Sequence, residues 1–160
     1  MKNLSLITLC ILFSMSTIAQ ETNVEDEKEA IKFVIQDAYV DGLCNNADRA
    51  AVNKGFHPGF NILGVGQGET MRKNPIYNWI EYAEIGKAKG NKYAFQNEFT
   101  TIKFQFIDVS GTAAVAKINF YEGGIHKYID YLSLLKFESG WKLVSKTFYK
   151  IPEEKGEKRE

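Results

Sequence analysis

A chain of 160 residues with 20 Lys and Arg against 20 Asp and Glu carries no net formal charge at neutral pH. That balance lacks the basic footprint of nucleic-acid binding, and no basic amphipathic stretch argues for a membrane surface. With 44% hydrophobic residues, the length suits one packed domain with a core of its own.

The first segment reads as an address. Lys2 supplies a positive start, Leu4 to Phe13 an apolar run, and Thr17-Ile18-Ala19 a small-residue end, the layout of a signal peptide cleaved after Ala19. The run is shorter than the roughly 20 residues of a membrane helix, so no membrane span is expected. The chain then divides into a signal peptide (1–19), one domain (20–151) and a charged, disordered tail (152–160), exported to the periplasm or the exterior. Cys10 leaves with the signal, and Cys44 stands alone. It is expected as a small buried hydrophobe; the sharper alternative is pairing between chains.

Thr22-x-x-Glu25 reads as a capping box. Ile31, Val34, Ile35, Ala38 and Tyr39 then recur at helical spacing, and this first helix should fade near Gly42 to Asn45. Asp48 can cap a short second helix that ends before His57-Pro58, since a residue preceding proline avoids helical angles. Phe60 to Val65 reads as a strand, Gly66-Gln67-Gly68 as a turn and Glu69 to Arg72 as a returning strand. Asn74 as cap and Pro75 at the first position open a third helix, whose buried face is Ile76, Trp79, Ile80 and Ala83 and which Gly86 and Gly90 close.

From Gln96 the periodicity changes to two. Four strands are expected, at 97–109, 112–122, 125–138 and 141–150, punctuated by Gly111, Gly123-Gly124 and Ser139-Gly140. Strands joined so tightly are antiparallel. Helices first and a meander after argue an α+β fold, with the helices on one face of a curved antiparallel sheet of about six strands.

A tight last hairpin assigns the two faces. The inner one carries Tyr128, Asp130, Leu132 and Leu134 with Trp141, Leu143, Ser145, Thr147 and Tyr149. The outer one carries Ile129, Tyr131, Ser133, Leu135 and Phe137 with Lys142, Val144, Lys146, Phe148 and Lys150. A strand apolar on both sides needs a second cover. A homodimer packed through Ile129, Tyr131, Leu135 and Phe137 is the simplest one; the helices or the tail are the alternative.

The stretches Lys127-Tyr128-Ile129-Asp130-Tyr131-Leu132-Ser133-Leu134-Leu135-Lys136 and Gly140-Trp141-Lys142-Leu143-Val144-Ser145-Lys146-Thr147-Phe148, with Phe56-His57-Pro58 behind a helix bearing Tyr39, resemble the bacterial "putative lumazine-binding" family of the nuclear transport factor 2-like superfamily. The resemblance spans roughly residues 25–150. It implies a cystatin-like cone, a bent sheet around a long helix with a cavity at the wide end, and frequent dimers. It implies no single function, because the superfamily hosts ketosteroid isomerases, polyketide cyclases, dehydratases and non-catalytic modules.

Asp130, an acid in mid-strand, is the best catalytic candidate. In a cavity it is a partly desolvated base, with Tyr39 or Tyr128 as the phenol donating to an enolate; the structural reading has it fixing the cone by hydrogen bonds. Tyr39, His57, Trp79, Tyr128, Asp130 and Trp141 are the candidate ligand-binding residues, an aromatic wall with few polar groups. The same aromatics serve equally as core. A lysine at position 146 is retained in the family pattern, though its face reads as a solvated row. Two histidines and no Cys/His/acid cluster give no expected metal, and no cofactor motif stands out; Gly64-x-Gly66-x-Gly68 has no helix behind it and reads as a turn. Three functions stay open: an exported protein binding a small, partly aromatic or apolar ligand or docking a partner; a ketosteroid-isomerase-like or cyclase-like enzyme using Asp130; and a dimerising scaffold with a filled core.

Overall fold

The computed structural model describes residues 24–152. The signal-peptide and capping-box expectations, and nearly all of the tail, lie outside the described residues.

Residues 24–34 are α-helical and continue without a break into the π-helical stretch Ile35–Asn46; together they are α1. Its expected stripe is the core: Ile31, Ile35, Ala38 and Tyr39 are all buried. Through the π-helical turns Val40, Leu43 and Cys44 are buried as well, so most of this end is enclosed, with Gln36 and Asn46 left exposed. The i→i+5 pattern is rare and recurs at functional sites. Helix α2, Arg49–Gly55, starts where expected, because the Asp48 carboxylate accepts from the Ala50 and Ala51 amides at 2.8 and 3.2 Å.

Strands β1 (Phe56–Val65) and β2 (Met71–Pro75) form a hairpin. The return strand lies further along than Glu69–Arg72, and Asn74 pairs with Ile62 instead of capping. The cap position of α3 (Ile76–Ala88) is Pro75, with no side-chain cap. Beyond it come β3 (Thr100–Ser110), β4 (Ala113–Glu122), β5 (Ile125–Phe137) and β6 (Gly140–Lys150). All four match the period-two reading closely.

One six-stranded sheet has the order β2-β1-β6-β5-β4-β3. The meander is antiparallel, and β1 joins it beside β6 in parallel. That parallel pairing makes the sheet mixed, and it puts the first strand next to the last. The fold is α+β, three helices against a curved sheet, with one core of α1, α3 and the inner face of β4, β5 and β6.

Two ties fix the helices on the sheet. Glu27, near the start of α1, accepts from Trp141 Nε1 at 2.6 Å and Lys136 Nζ at 2.5 Å. These two partners hold its carboxyl below the usual range. At the other end Asn45 brackets Thr100, accepting from its amide at 2.9 Å and donating to its carbonyl at 3.2 Å. The loop after α3 packs against that helix so closely that a Cβ on Gly86 would meet the Ala94 carbonyl oxygen at 2.0 Å. The Ala94 amide in turn donates to the Cys44 carbonyl, which draws the loop over α1.

Candidate functional site

The last hairpin departs from the expected faces. Leu134 pairs with Leu143, but the next pair is Ser133 with Ser145, so Val144 is an extra residue in β6. A bulge puts two residues opposite one and reverses the alternation beyond it. Hence Lys146, expected outside, pairs with Leu132 and points inward, 6% exposed. Thr147 and Tyr149, expected inside, are exposed, and Ser145 shares the outer side. Phe148 likewise turns to the cavity side, at its mouth.

Lys146 meets the two residues the sequence singled out. Its ammonium donates to Asp130 Oδ2 at 2.7 Å and to the Tyr39 hydroxyl, which itself donates to Asp130 Oδ2 at 2.7 Å. Asp130 is fully buried, Tyr39 is 1% exposed, and Asp130 Oδ1 has no hydrogen-bond partner among the described residues. Burial, followed by the Asp130 charge, pushes the Tyr39 phenol well above its ordinary range, so it stays protonated as a donor. The Lys146 nitrogen also stands 4.8 Å from the Tyr39 ring centre, 5.3 Å from Trp79, and 5.4 Å from Phe120 and Phe148. Ring faces attract a cation most when it is desolvated. A buried ammonium is tolerated here by one carboxylate, one phenol and four rings together.

Beside it opens a cavity of about 340 Å³ between α1, α3 and the sheet. Its wall is a run of rings: Phe95 stacks on Trp79 at 6.1 Å, Trp79 leans on Tyr39 at 5.5 Å, and Tyr39 stacks on Phe120 at 5.7 Å. Tyr128 continues the run, edge-on to both Phe120 and Phe148 at 5.7 Å. Polar lining comes from Lys146, Glu122 and Gln96. Cys44 also lines it; it is buried, and burial pushes its thiol far up, away from the reactive thiolate.

Of the six candidate residues, Tyr39, Trp79 and Tyr128 line this cavity and Asp130 sits behind Lys146 and Tyr39. A carboxylate so placed orients two donors, and the groups a ligand meets are the lysine and the tyrosine. His57 and Trp141 stand elsewhere. The His57 ring stacks on Phe137 at 4.9 Å and accepts from the Gly59 amide, while Trp141 is tied to Glu27. Lys146 as a cavity residue was missed because its side of β6 was misassigned. The available signal was the shift of bulky apolar residues from odd positions, Trp141 and Leu143, to even Phe148. Tyr149, next to it, masks that shift. Among the described residues no three His, Cys, Asp or Glu gather as a metal site, and no helix is long and apolar enough to cross a membrane.

The family model described as "Putative lumazine-binding" matches residues 26–149. No curated protein matches. Among solved structures, an NTF2-like protein of unknown function from Shewanella baltica is 25% identical, over 80% of this chain and 96% of that one, with a TM-score of 0.60. A second NTF2-like protein of unknown function, from Silicibacter pomeroyi, is 20% identical over 80% and 98%, with a TM-score of 0.60. A domain of unknown function with a cystatin-like fold from Nostoc punctiforme is 12% identical over 80% and 79%, with a TM-score of 0.53. The last two speak for the fold alone.

Proposed function

This chain belongs to the "Putative lumazine-binding" family, and from that premise we propose that it binds a small, flat, partly aromatic molecule in the cavity between the sheet and α1. The observation that carries this reading is the aromatic wall of Trp79, Tyr39, Phe120 and Tyr128 around about 340 Å³, with one buried ammonium on it. Cavities of this size and lining suit small organic ligands. Asp130 is then a positioning residue, holding Lys146 and Tyr39 toward the ligand, and binding is expected without turnover.

A thermal-shift and calorimetry screen of pteridinediones, flavin precursors, steroids and fatty acids tests the reading. Flat heterocycles should stabilise the protein, by about 2.7 kcal/mol at a hundredfold excess over Kd. Trp79→Ala, which opens the wall, should weaken them about tenfold, roughly 1.4 kcal/mol of lost ring contact. If no compound shifts the melting point, the reading is wrong.

The layout of residues 1–19 supports export, checked by whether protein recovered outside the cytoplasm begins at Gln20. Exposed Tyr131, Leu135 and Phe137 on β5, with Ile129 half-buried beside them, support a homodimer through the outer sheet face. Sedimentation as a monomer at tens of micromolar would remove that assembly.

A further inference from the structure

We infer, on the small-ligand reading above, that Lys146 is a nucleophile, whose amine captures an apolar aldehyde in the cavity as an imine, reversibly and with loss of water. Two departures from regular backbone converge on its nitrogen. The extra residue Val144 turns Lys146 to the inner face, and the π-helical stretch Ile35–Asn46 carries the Tyr39 hydroxyl that accepts from it. Bulges re-aim side chains beside active sites, and π-helical turns recur at functional sites. A buried ion pair gives little net stability over apolar groups of the same volume. Packing alone therefore gives no reason for a lysine aimed into a ring-lined cavity.

An ammonium has no lone pair, so attack needs the neutral amine. The proton acceptor is in place: Asp130 Oδ2 lies 2.7 Å from Nζ. Moving the proton along that hydrogen bond leaves an amine beside a carboxylic acid, with no charge stranded in the core. Asp130 Oδ1 has no partner among the described residues, so it loses no hydrogen bond when the carboxylate is neutralised. The amine nitrogen then adds to the aldehyde carbon, and one of its protons passes to the carbonyl oxygen, giving a carbinolamine. Its hydroxyl leaves as water with the proton held by Asp130, while the nitrogen lone pair closes the C=N bond. Ammonium and aldehyde thus become protonated imine and water, with no oxidant, reductant or net proton. The product keeps its positive charge where the ammonium had it, matched by the same carboxylate and faced by the same four rings at 4.8 to 5.4 Å. Tyr39, which accepts from Lys146 and donates to Asp130, is a positioning residue that keeps amine and proton acceptor together. The wall of Trp79, Phe95, Phe120 and Tyr128 favours aldehydes on an apolar or aromatic group and limits the water that would hydrolyse the imine.

The test is trapping of the folded protein with 2-naphthaldehyde and cyanoborohydride, which reduces an imine to a stable amine, read by peptide mass mapping. Lys146 should be labelled about tenfold faster than any surface lysine. 2-Naphthylmethanol, the same ring without a carbonyl, should protect Lys146 and leave the labelling of the other lysines unchanged. In protein unfolded by urea the preference should vanish. Labelling of Lys146 no faster than that of surface lysines, while calorimetry shows the alcohol binding, overturns the inference and leaves the small-ligand reading standing. Binding of neither compound, with no preference for Lys146, counts against both.

Discussion

Lys146→Met is expected to cost the fold about 3–5 kcal/mol, because it strands a fully buried carboxylate without its cation. The loss comes less from the missing attraction than from what remains: the Asp130 carboxylate keeps one hydrogen bond, from Tyr39, and no other partner among the described residues. Removing Asp130 at the same time should restore most of the stability, since a buried pair replaced by apolar groups of similar volume is often neutral. Asp130→Leu with Lys146→Met still leaves the Tyr39 hydroxyl without its acceptor, so a residual cost of about 1–3 kcal/mol is expected. Urea unfolding of the single and double variants measures this. A single variant within about 1 kcal/mol of the parent would show that the pair is wet or absent.

The second large effect concerns the extra residue in β6. Inserting one residue between Val144 and Ser145 should misplace everything after it: with the bulge kept, Lys146 and Phe148 turn outward, and with the strand straightened they slide two places along β5, which sets Lys146 opposite Asp130 and Phe148 opposite Tyr128. The expected cost exceeds that of Lys146→Met, because the place of Lys146 and that of the mouth ring Phe148 are lost together. Deleting Val144 should do the opposite. It removes the bulge, places the lysine two residues after Leu143, and so keeps it on the inner face opposite Leu132. Circular dichroism melts of both variants decide the matter. If the insertion is tolerated as well as the deletion, facing in this strand is not set by the ladder.

These two expectations turn on a residue whose place the sequence hid. The strands of the meander were legible because Gly111, Gly123-Gly124 and the Ser139-Gly140 pair mark the places where φ turns positive or the chain reverses. The core stripe of α1 was legible because Ile31, Ile35, Ala38 and Tyr39 obey one angular repeat. A bulge carries no such mark. Lys142-Leu143-Val144-Ser145-Lys146 reads as an ordinary alternating strand, and only the pairing with Ser133 and Leu134 shows the slip. Asp130 and Tyr39 were each visible as candidates, but their contact joins residues 91 apart in sequence and depends on where α1 crosses β5. The parallel pairing of β1 with β6 was hidden for a similar reason, since nothing local to either strand names its neighbour.

The most direct test of the central claim is the Nζ resonance of Lys146, followed by nitrogen-15 NMR while quinazoline-2,4-dione is titrated into the protein. The account predicts a saturable shift of that resonance, larger than that of any surface lysine, with the same affinity that calorimetry returns. A Lys146 signal that stays fixed while the ligand binds would place the ligand elsewhere and contradict the account.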